Sequence, residues 1–354
     1  MSLFQLTKSQ SVIGLDITST TVKLVELEAK GDEYTVKAFA VEPLPEGTVF
    51  EREIKNVMAL SESVKRCLKK ARTKCKQAVV AVPDQAVVTK IIDAPAEVGE
   101  FDLENYVNDQ APNFIPYSID EVALDFDIIG PDHRAPDRQL LQLVAAKLEQ
   151  LEDRTGCIKA ADLKPKVVDV ESYAYEHLLP IAAQMTGFDL ANEVVAFVDA
   201  GATTTQFNVL SKGRLIHSRS LSFGGKSLTE DIMRRYGMSF PEAGRAKRTG
   251  ELPDDYQHSL LEPFTEQLSA EISRAIQIYL SNGDGPDVER ILLAGGCSAI
   301  ANIEQTVQSI TGLDCQVINP FESMKFAKSV NKDRLLEDGA SMVVSAGLAI
   351  RGLM

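Results

Sequence analysis

Two stretches decide the fold: Val12-Ile13-Gly14-Leu15-Asp16-Ile17-Thr18-Ser19-Thr20-Thr21, and Val194-Val195-Ala196-Phe197-Val198-Asp199-Ala200-Gly201-Ala202-Thr203-Thr204-Thr205. Each is an apolar strand that delivers an Asp at its end and turns on Gly, Ser and Thr. The apolar alternations Val22, Leu24, Leu27 and Phe207, Val209, Leu210 then return as second strands. Small turn residues let backbone N–H groups and hydroxyls approach phosphate oxygens closely. A carboxylate repels an anion, so each Asp makes sense with Mg2+ between it and the phosphate, usually through water. One such turn is an ordinary hairpin. Its repetition in the second half is a fold signal, and two facing copies imply one metal–nucleotide site.

A third piece lies further on. Ile291-Leu292-Leu293-Ala294-Gly295-Gly296-Cys297-Ser298-Ala299-Ile300 reads as a buried strand, a glycine turn and a helix start, where paired glycines let a flat ligand reach the backbone. Between the repeats, Phe101 to Asn113 reads as a helix capped near Asp102, with Phe101, Tyr106, Val107 and Ala111 on one face, stopped by Pro112 and Pro116. Val122 to Ile129 alternates as a strand and Leu140 to Ala146 supplies another. With a helix near Leu148 to Asp162 they make a compact α+β insertion.

The 354 residues are 44% apolar, enough to bury a large core in two or more lobes. Acidic residues number 51 against 37 basic, a formal charge of -14, which argues against nonspecific attraction to nucleic acid or anionic lipid. The five cysteines (67, 75, 157, 297 and 315) form no CxxC pair and no zinc spacing, and read as reduced core residues of a cytosolic protein. Met1 to Ser11 carries no apolar run of signal-peptide length, and no stretch approaches the roughly 20 apolar residues of a membrane span. Secretion and direct membrane insertion are therefore not expected.

The order of two Asp hairpins, a Glu-bearing segment before the second and a late Gly-Gly turn resembles the actin, heat-shock chaperone and sugar-kinase superfamily over the whole chain. Within it, the sequence resembles the PilM family, cytoplasmic actin-like proteins of bacterial type IV pilus assembly. Ile13–Asp16 with Val22–Leu27, Gln110–Val122 and Val168–Ala174 carry that resemblance, and Gln110–Val122 is the most specific because actin and kinases lack it. The implied fold is α/β: an actin-like, ribonuclease H-like two-lobed ATPase fold with an FtsA-type α+β subdomain inserted in the first lobe. The implied division is a first lobe core of 1–83 and 163–191, the insertion over 84–162, a second lobe core of 192–222 and 288–354, and a helical subdomain over 223–287.

The resemblance implies ATP and Mg2+ as cofactors, held by Asp16, Thr18, Ser19, Thr20, Thr21 and Lys23 from the first loop and by Asp199, Gly201, Ala202, Thr203 and Thr204 from the second. Gly295, Gly296 and Ser298 match the adenosine motif, and Gly224, Gly225 and Lys247 complete the nucleotide set. Asp16 and Asp199 are the metal-facing residues, through water. Glu171 is the candidate polar residue beside an attacking water, with Asp199 sharing the catalytic role, although Glu171 also reads as a first-turn helix acid. Lys247 stands where relatives contact ribose in Ala-Glu-x-x-Lys; here Ala243-Gly244-Arg245-Ala246-Lys247 lacks the Glu, and Lys247 also reads as part of a solvated helix face. Thr18 replaces the Gly usual after the first Asp and its apolar neighbour, either supplying a hydroxyl or crowding the terminal phosphate. The expected activity is at most a slow ATPase.

The implied partners are the N-terminal cytoplasmic segment of a PilN-like inner-membrane protein, docked beside the insertion, and other pilus assembly proteins. The implied place is the cytoplasm, peripheral to the inner membrane through the partner, in a role needed for pilus assembly and twitching motility. Self-association is a further expectation, because actin-like lobes can stack head to tail. The alternatives are an actin-like polymer or division-type scaffold, and a small-molecule kinase of the same superfamily. Phe223-Gly224-Gly225-Lys226-Ser227 imitates the end of a Walker A loop, but Ser220 stands where its first Gly belongs. That stretch reads instead as a loop entering a helix from Leu228 to Tyr236, with Ser227 or Thr229 as cap.

Overall fold

The computed structural model describes residues 11–354 except Glu51, His133 and Asp284, and excludes the side chains of Glu100 and Phe101. The readings made on residues 1–10 and on the Phe101 side chain lie outside the described residues. From the N-terminal side the chain forms β1 (Ser11–Ile17), β2 (Thr21–Lys30), β3 (Glu33–Pro43), β4 (Val49–Phe50), β5 (Glu53–Ile54), α1 (Val57–Ala71) and β6 (Gln77–Val82). The inserted part follows as β7 (Val87–Pro95), α2 (Glu100–Gln110), β8 (Val122–Pro131) and β9 (Arg138–Lys147); α3 (Leu148–Ala160), expected within the insertion, instead packs with α1 on the first sheet. Next come β10 (Lys164–Val170), α4 (Tyr173–Thr186), β11 (Val194–Ala200), β12 (Thr205–Ser211) and β13 (Arg214–Leu221). The remainder is α5 (Gly225–Tyr236), α6 (Phe240–Thr249), α7 (Glu262–Asn282), β14 (Arg290–Ala294), α8 (Ile303–Thr311), β15 (Asp314–Val317), β16 (Lys325–Phe326), α9 (Lys332–Asp338) and α10 (Val343–Leu353).

The repeat seen in sequence is a repeat of topology. In the first sheet β1, β2 and β3 form an antiparallel meander, β6 lies parallel to β1 and β10 parallel to β6. The second sheet repeats the pattern with β11, β12 and β13, then β14 and β15. Both central strands are covered on both faces, which is why they read as continuous apolar runs. Ile13 and Leu15 face a core shared with α1 and α3, while Val12 faces the other way; Val194, Ala196 and Val198 point to the helical subdomain's core, while Val195 and Phe197 point back. The inward faces of the two sheets, with α4 and α10, bury one common cluster that spans both lobes.

Two elements cross back. β16 pairs parallel with the outer edge of β3, and α10 packs on β1. Lys325–Phe326 and Val343–Leu353, assigned from sequence to the second lobe core, therefore belong by their contacts to the first sheet. Three glycines make this fit possible: a Cβ at Gly14 would fall 1.9 Å from the Ser345 carbonyl oxygen, one at Gly347 2.1 Å from that of Ala174, and one at Gly352 2.4 Å from a Val12 methyl. The approaches at Gly14 and Gly347 are to backbone atoms and are open only to glycine.

The insertion is a three-stranded antiparallel sheet, β7-β9-β8, with its own core of Ile92, Leu103, Val107, Ala111, Ile115, Leu141 and Leu143. Its helix is capped at Gly99 rather than near Asp102, with no side-chain cap bond. All five cysteines are free, and only Cys75 is not buried. No helix among the described residues is long and apolar enough to cross a membrane.

Candidate functional site

Strand parity aims the two aspartates at each other. Val12, Gly14 and Asp16 share one face of β1, and Val195, Phe197 and Asp199 share one face of β11; both faces look onto the common core layer. The loops beyond them meet, Ser19 Oγ lying 2.9 Å from Thr203 Oγ1 although the two are 184 residues apart in sequence. Glu171 enters from the end of β10, just ahead of α4 rather than in its first turn, and is buried.

Thr18 turns inward. Its hydroxyl accepts from the backbone N–H of Thr20 (3.2 Å) and Thr21 (3.0 Å) and donates to the Thr21 carbonyl (3.0 Å). The side chain thus closes its own turn and occupies two N–H groups that a glycine there would leave open. In the second loop the Gly201 N–H donates to Thr204 O (3.0 Å), while the Gly201 and Ala202 carbonyls accept from the N–H groups of Gly225 (3.0 Å) and Lys226 (2.7 Å). Those two bonds start α5 at Gly225, three residues before the expected Leu228, with Gly224 at the cap and neither Ser227 nor Thr229 capping it. A Cβ at Gly224 would meet the Gly201 and Ala202 oxygens at 2.7 Å.

Gly295 adopts φ +91°, and a Cβ there would lie 2.4 Å from both Ala200 O and Asp199 Oδ1, so the third piece sits directly against the second aspartate. Ser298 serves this turn, its Oγ donating to Gly295 O at 2.7 Å. Gly296 is exposed beside it. Lys247 is not a solvated face residue: its Nζ donates to Gly225 O (2.8 Å) and Thr229 Oγ1 (2.7 Å), and burial holds its pKa below the usual range.

Charge is concentrated where the loops meet. Lys23 Nζ stands 3.4 Å from Asp16 and donates to Ser341 O at 2.6 Å. Burial raises the pKa of Asp199, Lys23 opposing the rise and Asp16 adding to it, while the Tyr175 hydroxyl donates to Asp199 at 3.1 Å. Arg52 Nη1 contacts both Glu171 oxygens, at 2.5 and 2.7 Å, and its Nη2 reaches Thr204 Oγ1 at 2.9 Å. Burial works against the Arg52 charge, but Glu171 more than offsets it and raises the guanidinium's pKa. Glu171 itself is pushed up to about 7 from an ordinary 4.5, by burial first and then by Asp16 and Asp84, with Arg52 pulling the other way. Asp84, near Glu171, is likewise raised by burial.

A carboxyl whose pKa is raised by folding stabilises the native state while it is protonated. For Glu171 that contribution is complete below 4.5 and is lost as pH rises through about 7. Without nucleotide, the thermal midpoint is expected to fall from about pH 5 to about pH 8 more steeply in the native sequence than in Glu171→Gln. Equal slopes in the two proteins would remove burial as the cause.

The residues present fit a phosphate-bearing ligand with a divalent cation. Gln206 pairs in register with Asp199, on the same face of the sheet, is 2% exposed, and both its amide atoms lack a partner. Asp84 Oδ2 is also buried without a partner. Gly201, Gly224, Gly225 and Gly295 line the second loop with backbone only. No group of three or more His, Cys, Asp or Glu among the described residues forms a metal cage, so a cation here would be held by few carboxylates and by water.

Arg52, Asp84, Tyr175 and Gln206 belong to this site and carried no motif. Asp84 had a readable signal, for Val79-Val80-Ala81-Val82-Pro83-Asp84 is a third apolar strand ending in an acid.

On the insertion, the Gln110–Val122 stretch buries Ala111, Ile115 and Val122 but leaves Phe114 and Tyr117 partly exposed. Lys147 Nζ lies 4.6 Å from the Tyr117 ring centroid. The insertion therefore presents two partly exposed aromatic side chains, Phe114 and Tyr117.

Among solved structures, the chain is similar to one described as "PilM-PilN type IV pilus biogenesis complex", with 27% identity, 97% of this chain and 98% of that chain covered, and a TM-score of 0.80. It is also similar to the ethanolamine utilization protein EutJ from Carboxydothermus hydrogenoformans, at 15% identity over 96% of this chain and 89% of that one, with a TM-score of 0.58. At that identity the likeness concerns the fold alone, and the actin-like α/β fold expected from the sequence is the fold observed. The family model described as "Type IV pilus assembly protein PilM" matches residues 14–353. A match over nearly the whole length, joined to two Asp-ended hairpins whose turns meet and an α+β insertion in the first lobe, places the chain in the type IV pilus assembly protein PilM family.

Proposed function

We propose that the chain binds an adenine nucleotide with Mg2+ between its two hairpin loops and, so closed, docks the N-terminal cytoplasmic segment of a PilN-like inner-membrane protein during type IV pilus assembly and twitching motility. The observation that carries the nucleotide reading is the 2.9 Å contact between Ser19 and Thr203, which brings two anion-cradling turns to one point. Magnesium would supply the positive charge between the Asp16 and Asp199 carboxylates and the phosphate oxygens. Gly295 and Gly296 would carry the adenosine, and the Thr203 and Thr204 hydroxyls would orient the phosphates.

Binding comes before turnover in this reading. Thr18 spends two loop N–H groups on its own turn, and Glu171 is held by Arg52 rather than left free to activate water. The chain is at most a slow ATPase, and closure is the useful product. The docking half rests on the resemblance to the PilM–PilN complex and on the partly exposed Phe114 and Tyr117 of the insertion. The chain would sit in the cytoplasm and meet the inner membrane through that partner. Other assembly proteins would bind elsewhere on it.

Mg-ATP at about 100 times its Kd is expected to stabilise the fold by about 2.7 kcal/mol, a thermal shift on the order of 5 °C. Asp16→Ala and Asp199→Ala should abolish the shift. An unmoved transition in the native protein sinks the nucleotide reading. A labelled peptide copying the cytoplasmic segment of the cognate PilN-like protein should bind saturably, and Tyr117→Ala should weaken it; no saturation at high micromolar concentration sinks the docking reading.

A further inference from the structure

We infer that Arg52 is the residue by which the cleft distinguishes a nucleoside triphosphate from a diphosphate, an inference that rests on the nucleotide reading above. Arg52 sits in the tight turn between β4 and β5 with φ +68°, the left-handed conformation such hairpin turns use. It is held on both sides. The Arg52 carbonyl accepts from Arg154 Nη2 at 3.0 Å, and Arg154, 3% exposed on α3, is itself tied to Ala81 O at 2.8 Å. On the other side the guanidinium, 14% exposed, leaves the first lobe and reaches Thr204 in the second lobe's loop.

The position is chemically specific. Thr204 neighbours Thr203, which meets Ser19, so the guanidinium stands at the junction of both loops. A planar fork of N–H donors matches a phosphate as well as it matches a carboxylate, and a terminal phosphate carries more charge than either present partner. The other cations nearby are committed: Lys23 to Asp16 and the Ser341 carbonyl, Lys247 to Gly225 O and Thr229, Lys226 to Glu230 at 3.7 Å. Arg52 is itself paired through Nη1 with Glu171, but alone among these four it places a second nitrogen, Nη2, on a neutral hydroxyl of the other lobe, where a phosphate oxygen can take the hydroxyl's place. A diphosphate lacks the group that would draw it.

The test is equilibrium titration of the full chain, with Mg2+ present, by mant-ADP and by the non-hydrolysable mant-AMPPNP. The native protein should prefer the triphosphate analogue by about tenfold or more. Arg52→Gln is made in a Glu171→Gln background, so that no buried charge is left alone. It should keep its affinity for mant-ADP and lose the preference, while Glu171→Gln alone retains it. Arg52→Lys keeps the charge without the fork and should lose most of the preference, which covers the case of a double variant that does not fold. A native protein without preference, or an Arg52 variant with the native preference, overturns the inference and leaves nucleotide binding standing. A native protein that binds neither analogue overturns both.

Discussion

Gly14→Ala is expected to cost more than about 3 kcal/mol, the upper end for overpacking a core, and to leave little folded protein. The added methyl would stand 1.9 Å from the Ser345 carbonyl oxygen and 2.5 Å from the Ala349 nitrogen. Both are backbone atoms of α10, so no rotamer change relieves the clash. The helix cannot retreat either. On its far side Gly347 already lies against the Ala174 carbonyl of α4, while Gly352 fixes the helix to Val12 and Val79 of the same sheet. The strand, α10 and α4 form a stack with no slack, and the Cβ would have to part the two lobes' shared core. Urea unfolding reads the result directly; a midpoint equal to that of the native protein would mean that α10 is not held as described.

Arg52→Ala is expected to destabilise the nucleotide-free protein by about 3 kcal/mol near pH 8, because it leaves Glu171 buried without its counter-charge. The loss should shrink toward pH 6, where Glu171, already raised to about 7, takes up a proton instead. Arg52 also supplies the bond to Thr204, so some of the loss is shared by both lobes. A double-mutant cycle with Glu171→Gln separates the parts. The double substitution should cost clearly less than Arg52→Ala alone at high pH. Additive losses would mean that the pair is not coupled and that its short contacts contribute nothing beyond packing.

The sequence was legible where chemistry repeats. The two Asp-ended strands, their small-residue turns and the late Gly-Gly turn announced themselves because a buried β-branched run must stop somewhere, and an acid at that point is costly unless used. The α+β insertion was readable from alternation in Val122–Ile129 and the proline stops before it. Arg52 was not, because it lies in the charged run Arg52-Glu53-Ile54-Lys55, whose residues name no partner 119 or 152 positions away. Gln206 and Tyr175 were hidden for the same reason: their meaning lies in a register and a ring contact, the Tyr175 ring lying tilted with its centroid 4.8 Å from that of Phe197. The start of α5 was misplaced because tertiary bonds from Gly225 and Lys226 to the second loop nucleate it ahead of its local caps. The return of α10 was unreadable, since a helix of small residues does not say which sheet will receive it.

That return has a mechanical meaning. The chain passes from the first sheet to the second through α4 and β11, and back again between β15 and β16. Two attachment points define a line, as two hinges define the swing of a door. Sliding and propeller-like twisting of one lobe over the other would strain one attachment, whereas swinging about the line strains neither. Any change in the spacing of Ser19 and Thr203 at the free edge is therefore geared to rotation of everything carried by the first lobe, and the partly exposed Phe114 and Tyr117 ride at the end of that lever.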